Sequence, residues 1–419
     1  MPSKALLRAA HAAHAARDAA RFGVSVGDVT PDFPAIMERL RQIRADIGPH
    51  DSAERLRRDG IDVFLGQARF TGPDTLEVNG TPLRFRRACI ATGARPVLPP
   101  IPGIEQVGAI TNQHLFTLTE LPSRLTVVGA GVIGCEMAQA FARLGSTVTL
   151  IDLADRVLAR EEAEAAALVQ EQLVADGITL KLGVGVERFE RSEARVTVLS
   201  SGERVESDVI LVAAGRRPNL DLDLEAAGVQ TTKRGIQVDS HLVTTNPNIY
   251  AAGDVIGQAA FTHAADFHAR IVIRNALFFG HARVEDLIIP RVTFTQPEVA
   301  AVGITGPEAD ETPGLTAFRV GMDETDRGRT DSEAGYCRIW ADSKGRIHGA
   351  VVVAEHAGEL LAPITLAMTQ GVTLGQIANT IHPYPTRSEV VFKVASAYNR
   401  TRVTPTVKKA STWLLDWRR

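Results

Sequence analysis

The chain has 419 residues, 45% apolar and 23% charged, and a formal net charge of −3. That length exceeds what one hydrophobic core serves and predicts two or three domains, while the charge excludes any general attraction to nucleic acid or an anionic membrane. No apolar run approaches the roughly 20 residues that span a bilayer, and no basic-then-apolar leader stands at the N-terminus, so the reading is a cytoplasmic protein with no membrane span.

In chain order, residues 2–22 predict a helix: Pro2 suits a first helical position, an alanine-rich run follows, and Gly23 stands at the exit. Residues 34–59 read as a second, strongly charged helical stretch closed by Gly60. Short strands are expected at 63–65 and 75–78, with Asn79-Gly80 as a hairpin signal. Ala88-Cys89-Ile90-Ala91-Thr92-Gly93 is an apolar strand entering a glycine turn, and Pro96, Pro99, Pro100 and Pro102 make a stiff connector. From Leu125 to about Gly215 strands alternate with helices, which predicts a parallel sheet. An apolar helix is expected at 264–279. Beyond Pro290, strands at 291–294, 336–340 and 349–353 precede helices, the order of an α+β domain. Cys89, Cys135 and Cys337 are scattered and odd in number, which excludes a disulfide framework and any zinc-ligand spacing. Cys135, inside a predicted helix, reads as a small buried hydrophobe.

Thr126-Val127-Val128 runs into Gly129-Ala130-Gly131-Val132-Ile133-Gly134 and a helix through Leu144, so strand, glycines and helix come in the order a dinucleotide fold requires. Gly129 permits the tight turn, Gly131 lets the backbone approach a pyrophosphate, and Gly134 lets helix and strand pack closely. The N–H groups at the helix start, Val132 and Ile133 among them, then hold phosphate with the helix dipole behind them. The next strand, 146–151, ends in Asp152, 23 residues after Gly129. A carboxylate there accepts hydrogen bonds from a ribose 2′-hydroxyl and repels a 2′-phosphate, which favours NAD. Arg156, four residues on, leaves NADP open.

A further motif, Thr244-Thr245-Asn246-Pro247-Asn248-Ile249-Tyr250-Ala251-Ala252-Gly253-Asp254-Val255, carries a family resemblance. The chain resembles the pyridine nucleotide-disulfide oxidoreductases, flavoproteins that include lipoamide dehydrogenase, glutathione reductase and mercuric reductase, over essentially its whole length. The resemblance implies an α/β fold: two Rossmann-like nucleotide-binding domains, the FAD one N-terminally truncated, plus a C-terminal α+β dimerisation domain. The corresponding divisions are 1–120 for the first part of the FAD domain, 121–240 for the NAD(P) domain, 241–289 for a central FAD segment and 290–419 for dimerisation. It implies FAD as cofactor beside NAD, with Asp254 accepting a hydrogen bond from the ribityl chain. Phe261-Thr262-His263 resembles the segment facing the flavin ring, where His263 either packs on the flavin or caps the helix. Ala91-Thr92-Gly93-Ala94 and Ala213-Ala214-Gly215-Arg216-Arg217-Pro218-Asn219 resemble paired crossover turns, which assigns Thr92, Gly93 and Gly215 to cofactor binding. Ala68 matches an element meeting the flavin adenine, and Val186 one meeting the nicotinamide cofactor's adenine. Pro2-Ser3-Lys4 resembles the tripeptide after the second redox cysteine, which implies an ion pair between Lys4 and Glu136 near the flavin; on residue type alone both are ordinary surface charges.

By the same resemblance a glycine-rich flavin phosphate loop and a Cys-x4-Cys pair would precede Met1. A valine codon GTG read as a start would produce this beginning. Near the other end, His382-Pro383-Tyr384-Pro385-Thr386-Arg387-Ser388-Glu389 resembles a His-Pro-Thr-x-x-Glu acid/base motif. Counted back from Glu389, Tyr384 takes the histidine's place; a phenol of ordinary pKa near 10 is a poor base at neutral pH, and His382 is the substitute candidate. Tyrosine here is the mercuric-reductase pattern, but the end of the sequence, Ser411 to Arg419, carries no cysteine pair to receive Hg(II). The expected catalytic set is therefore Tyr384, Glu389, Lys4 and Glu136, with no resident metal. The expected activity is hydride transfer from NAD(P)H to flavin and on to a disulfide, metal ion or quinone, within a homodimer whose Tyr384 and Glu389 serve the partner's flavin. The alternative is a non-catalytic remnant that binds NAD(P) and dimerises without retaining FAD. Trp413, Leu414, Trp417, Arg418 and Arg419 are expected to pack on the terminal domain, a membrane surface being the other possibility.

Overall fold

Four of the five residues of the strand Arg124–Val128 are buried, as a strand covered on both faces requires. It pairs in parallel with Thr147–Ile151 on one side and Val209–Val212 on the other. The helix Val132–Leu144, buried along most of its length, packs on this sheet and ends at the left-handed Gly145. A three-stranded antiparallel sheet, Val186–Arg191, Arg195–Leu199 and Arg204–Ser207, follows. This is a computed structural model describing Pro2 to Arg418; Met1 and Arg419, both named above, lie outside the described residues.

The chain forms two compact units, one of 1–153 and 184–287 and another of 154–183 and 288–419. In the first, the helix Pro2–Arg17 buries Leu6, Leu7, Ala10 and Ala13 and packs on the helices Phe33–Ile47 and Val132–Leu144. The helical stretch expected at 34–59 is interrupted: Phe33–Ile47, capped by Asp32, gives way at Gly48-Pro49, and Ala53–Arg58 restarts under a Ser52 cap. Pro49 lacks the N–H that would have continued the helical ladder. Residues 63–65 lie in no strand, and Phe64 and Leu65 are exposed; strand propensity is expressed only where a neighbour completes the packing. The hairpin is present: Thr75–Val78 and Thr81–Arg84 pair across Asn79 and Gly80, both at positive φ, and Ala68–Gly72 adds a third strand. Ala88–Ile90 pairs in parallel with Ile249–Ala251, ahead of the helix Thr262–Leu277. Phe70, Ile90, Leu242, Ile249, Val255 and Ile271 share one core.

The second unit is built on a five-stranded antiparallel sheet in the order Arg291–Thr293, Glu298–Gly303, Ile347–Ala354, Tyr336–Ala341, Thr316–Gly321. The helices Ala357–Gln370 and Glu389–Thr401 bury Leu361, Ile364, Val390 and Val394 in its core. Residues 154–183 join it through charge: Glu164 pairs with Arg319 and Arg338, each at 2.6 Å, and Glu162 takes Arg338 and the buried Tyr336 hydroxyl. The tail departs from expectation. Thr404 caps a separate helix, Pro405–Trp417, and every described residue from 401 onward is exposed, so the tail does not pack on the terminal domain. Pro405 stops the preceding helix and redirects the chain.

Candidate functional site

Between the strand Arg124–Val128 and its helix, Gly129 adopts φ 109°, where a Cβ would stand 2.6 Å from the Ala213 carbonyl oxygen. A Cβ on Gly134 would overlap the Gly129 carbonyl, so helix and turn touch backbone to backbone. At Gly131 a Cβ would meet nothing within 4 Å, which leaves open space over the helix start. No side chain caps that start. Its first N–H groups thus face open space, the arrangement that suits an anion. The Asp152 carboxylate, just past the second strand, accepts the Ala130 N–H and is held at the same turn. Val186 opens the strand Val186–Arg191. Arg156, in the other unit, donates to the carbonyls of Ala159 and Glu161, at 2.9 and 3.0 Å. Open glycine, uncapped helix and anchored carboxylate fit a nicotinamide dinucleotide.

Lys4 and Glu136 meet as the resemblance implied. Lys4 Nζ donates to both Glu136 oxygens, at 2.8 and 2.7 Å, and the Glu136 side chain is only 4% exposed. The crossover turns interlock: Thr92 Oγ1 donates to the Asn219 carbonyl and Asn219 Nδ2 to the Thr92 carbonyl, each at 2.8 Å, while the Asn219 N–H reaches the Gly93 carbonyl. Gly93 and Gly215 both have positive φ, and the strands Ala94–Pro96 and Arg216–Pro218 pair beyond them. Asp254 lies in the turn Gly253–Ile256 with Arg216 Nε 3.8 Å from its carboxylate. The His263 ring stacks on Phe261, with centroids 5.3 Å apart. Ala68 opens its strand opposite Val78. These groups fit the ring and ribityl portions of a flavin. For the flavin pyrophosphate the described residues hold no second strand–glycine turn–helix.

In the second unit the Tyr384 hydroxyl donates to Asp326 at 2.8 Å. That hydrogen bond, with the Asp326 charge, holds the phenol above its ordinary pKa, so it stays protonated at neutral pH. Glu389, at the start of the helix Glu389–Thr401, pairs instead with Lys393 at 3.1 Å, and its Oε2 is buried without a hydrogen-bond partner. Tyr384 and Glu389 are therefore held by different neighbours. His382 is half-buried, its Nδ1 3.0 Å from the Thr380 carbonyl. Arg387 gathers Asp331, Glu333 and Glu355 beneath this loop. Sequence reasoning missed Asp326, Arg387 and the pairing role of Arg216; Asp326 is 58 residues from Tyr384, and no local spacing announces the contact. Donor atoms of Glu298, His356 and Glu359 lie within 4.8 Å of one another, but Glu298 already accepts the Gly358 N–H at the start of a helix.

Residues 1–269 match the family model described as pyridine nucleotide-disulphide oxidoreductase, and residues 289–395 match that family's dimerisation domain. The chain belongs to the pyridine nucleotide-disulphide oxidoreductase family. A mercuric reductase of Bacillus cereus is 34% identical over 93% of this chain, which spans 63% of that relative's length. A dihydrolipoyl dehydrogenase of Thermus scotoductus is 33% identical over 96% of this chain and 89% of its own. Among solved structures, the HOCl-induced flavoprotein disulfide reductase RclA of Escherichia coli superposes with a TM-score of 0.84 at 28% identity, covering 94% of this chain and 89% of that one. The family's two α/β Rossmann-like domains and C-terminal α+β dimerisation domain are the architecture of this chain. Its disulfide chemistry has no counterpart in the described cysteines: Cys89 is exposed, Cys135 and Cys337 are buried, all three are free, and burial pushes the Cys337 thiol up to about 12. Cys135 is the core residue its sequence context predicted, with its Sγ 3.2 Å from the Ala130 carbonyl.

Proposed function

We propose that the chain is an NAD(P)H-dependent flavin oxidoreductase that passes electrons to a metal ion, a quinone or an external disulfide. The open Gly131 beside an uncapped helix start and the anchored Asp152 carry this reading. When bound, the nicotinamide supplies a hydride and the flavin accepts it. The N–H groups at Gly131, Val132 and Ile133 hold the dinucleotide pyrophosphate, and Asp152 accepts hydrogen bonds from ribose hydroxyls, which favours NADH over NADPH. Glu136 places the Lys4 ammonium, and Asp254, beside Arg216, is the acceptor for the ribityl hydroxyls. Thr92, Gly93 and Gly215 shape the crossover; Ala68 and Val186 meet the adenines of the two cofactors, and His263 lies on the side of the flavin ring. Tyr384, held as a phenol by Asp326, is a proton donor and ligand rather than a base. With Glu389 it completes the site of the partner subunit in a homodimer, consistent with the match to a dimerisation domain.

A second reading, an NAD(P)-binding, dimerising remnant that does not retain FAD, is favoured by one observation: among the described residues the pair Ala88–Ile90 and Ile249–Ala251 is a sheet of only two strands. One preparation separates the two. The chain is incubated with FAD, desalted and examined by absorbance, then assayed for NADH and NADPH oxidation with a quinone, Cu(II), Hg(II) and an aromatic disulfide as acceptors. Retained flavin and NADH-dependent turnover, with Asp152→Ala costing about tenfold in NADH affinity, are the expected results. Flavin lost on desalting, with NADH binding intact, establishes the remnant instead.

A further inference from the structure

The helix Pro405–Trp417 is none of the elements assigned to the nucleotide sites, yet its sequence is amphipathic. Val407, Ala410, Trp413, Leu414 and Trp417 fall at helical spacing on one face. Lys409 borders that face on the Trp413 side and Arg418 on the Val407 side; Lys408, Thr412 and Asp416, with Leu415 among them, occupy the opposite face. In the fold no residue of this apolar face is buried. Trp413 is 69% exposed and Trp417 74%, whereas Trp340, in the core of the same unit, is 1% exposed. Two tryptophans left in water forfeit one of the largest apolar contributions a side chain offers, so the arrangement calls for a covering phase.

We infer that this helix is an interfacial anchor that lies in the headgroup region of a membrane containing anionic lipid. Charge selects the occupant. Between 400 and 418, Arg400, Arg402, Lys408, Lys409 and Arg418 stand against Asp416 alone, a local basic excess in a chain of net charge −3. Tryptophan rings settle at headgroup level, and cations bordering the apolar face extend along it to reach lipid phosphates. The helix has 13 residues, well short of the roughly 20 needed to cross a bilayer. No described helix is long and apolar enough to cross. It therefore lies in the plane, and its local basic excess supplies the attraction to anionic headgroups.

The test uses the full chain with vesicles of phosphatidylcholine alone and of phosphatidylcholine with phosphatidylglycerol. Flotation, tryptophan emission and sedimentation velocity are the readouts. Binding to the anionic vesicles about tenfold or more above the neutral ones is expected, with a blue shift from Trp413 and Trp417 over a constant Trp340 signal. Trp413→Ala with Trp417→Ala abolishes binding and shift while circular dichroism stays unchanged, because the helix supports no core. Lys408→Glu with Lys409→Glu removes the preference for anionic lipid. Absence of vesicle binding, equal binding to neutral vesicles, or undiminished binding of the double tryptophan variant overturns the inference. So does blue emission in vesicle-free buffer together with dissociation of an oligomer in that variant, which assigns the face to a second copy of the chain.

Discussion

Lys4 and Glu136 share one ion pair unequally. The carboxylate is almost wholly buried, while the lysine side chain keeps 37% exposure. Removing the cation therefore costs more than the pair's own attraction, because a charge remains in a low-dielectric site. Lys4→Met is expected to destabilise the chain by about 1–3 kcal/mol, less than for a fully buried partner because the lysine is partly solvated. Adding Glu136→Gln should recover most of that loss in urea unfolding; a Lys4→Met midpoint equal to wild type would show that the pair is not a stabilising contact. His268 offers a pH test. It is fully buried, its Nδ1 accepts the Gly253 N–H, and burial holds its pKa below the ordinary 6.5. The folded chain thus keeps the ring neutral where the unfolded chain takes a proton. This contribution is complete above about 6.5 and is lost as pH falls toward the lowered folded value. Melting temperatures across that window should fall more steeply with acidification in wild type than in His268→Met; parallel curves would remove His268 from the account.

At the scale of elements, the nucleotide turn separates two duties of glycine. Gly134 is where the helix touches the turn, and Gly131 is where the turn faces open space. Gly134→Ala is therefore expected to destabilise the fold by about 1–3 kcal/mol or more, as overpacked sites do. Gly131→Ala should melt like wild type and lose NADH affinity, since the added methyl intrudes only on a ligand. Calorimetry with NADH titration checks both; normal NADH binding by Gly131→Ala would place the pyrophosphate elsewhere. This turn was legible because strand, three glycines and helix are contiguous and each glycine has a local steric cause. The stretch 34–59 is helical on both sides of a break at Gly48-Pro49, a local signal present in the sequence, whereas the strand expected at 63–65 depended on a neighbour.

For the whole molecule, the matched dimerisation domain leaves large apolar side chains in water: Ile381 is 95% exposed and Leu366 62%. A two-fold contact made by this domain is where such side chains would be covered. Ile381→Glu is expected to shift the chain from dimer to monomer in sedimentation velocity, with its circular dichroism retained; an unaltered dimer would place the interface on another face. Family, layer order and the nicotinamide turn were determined by sequence alone, because glycine sterics, alternation of strand and helix, and contiguous motifs are written in neighbouring residues. The Lys4–Glu136 pair was available only through resemblance, for 132 residues separate its members. Asp326 beneath Tyr384, Arg216 beside Asp254 and the arginines gathered around Glu162 and Glu164 were decided by tertiary structure. So was the solvent-facing tail helix, whose amphipathic pattern could be read in the chain but whose lack of a partner could not. Spacing along a sequence encodes local sterics and periodicity; which distant charge meets which, and which apolar face stays uncovered, depends on how the elements close in space.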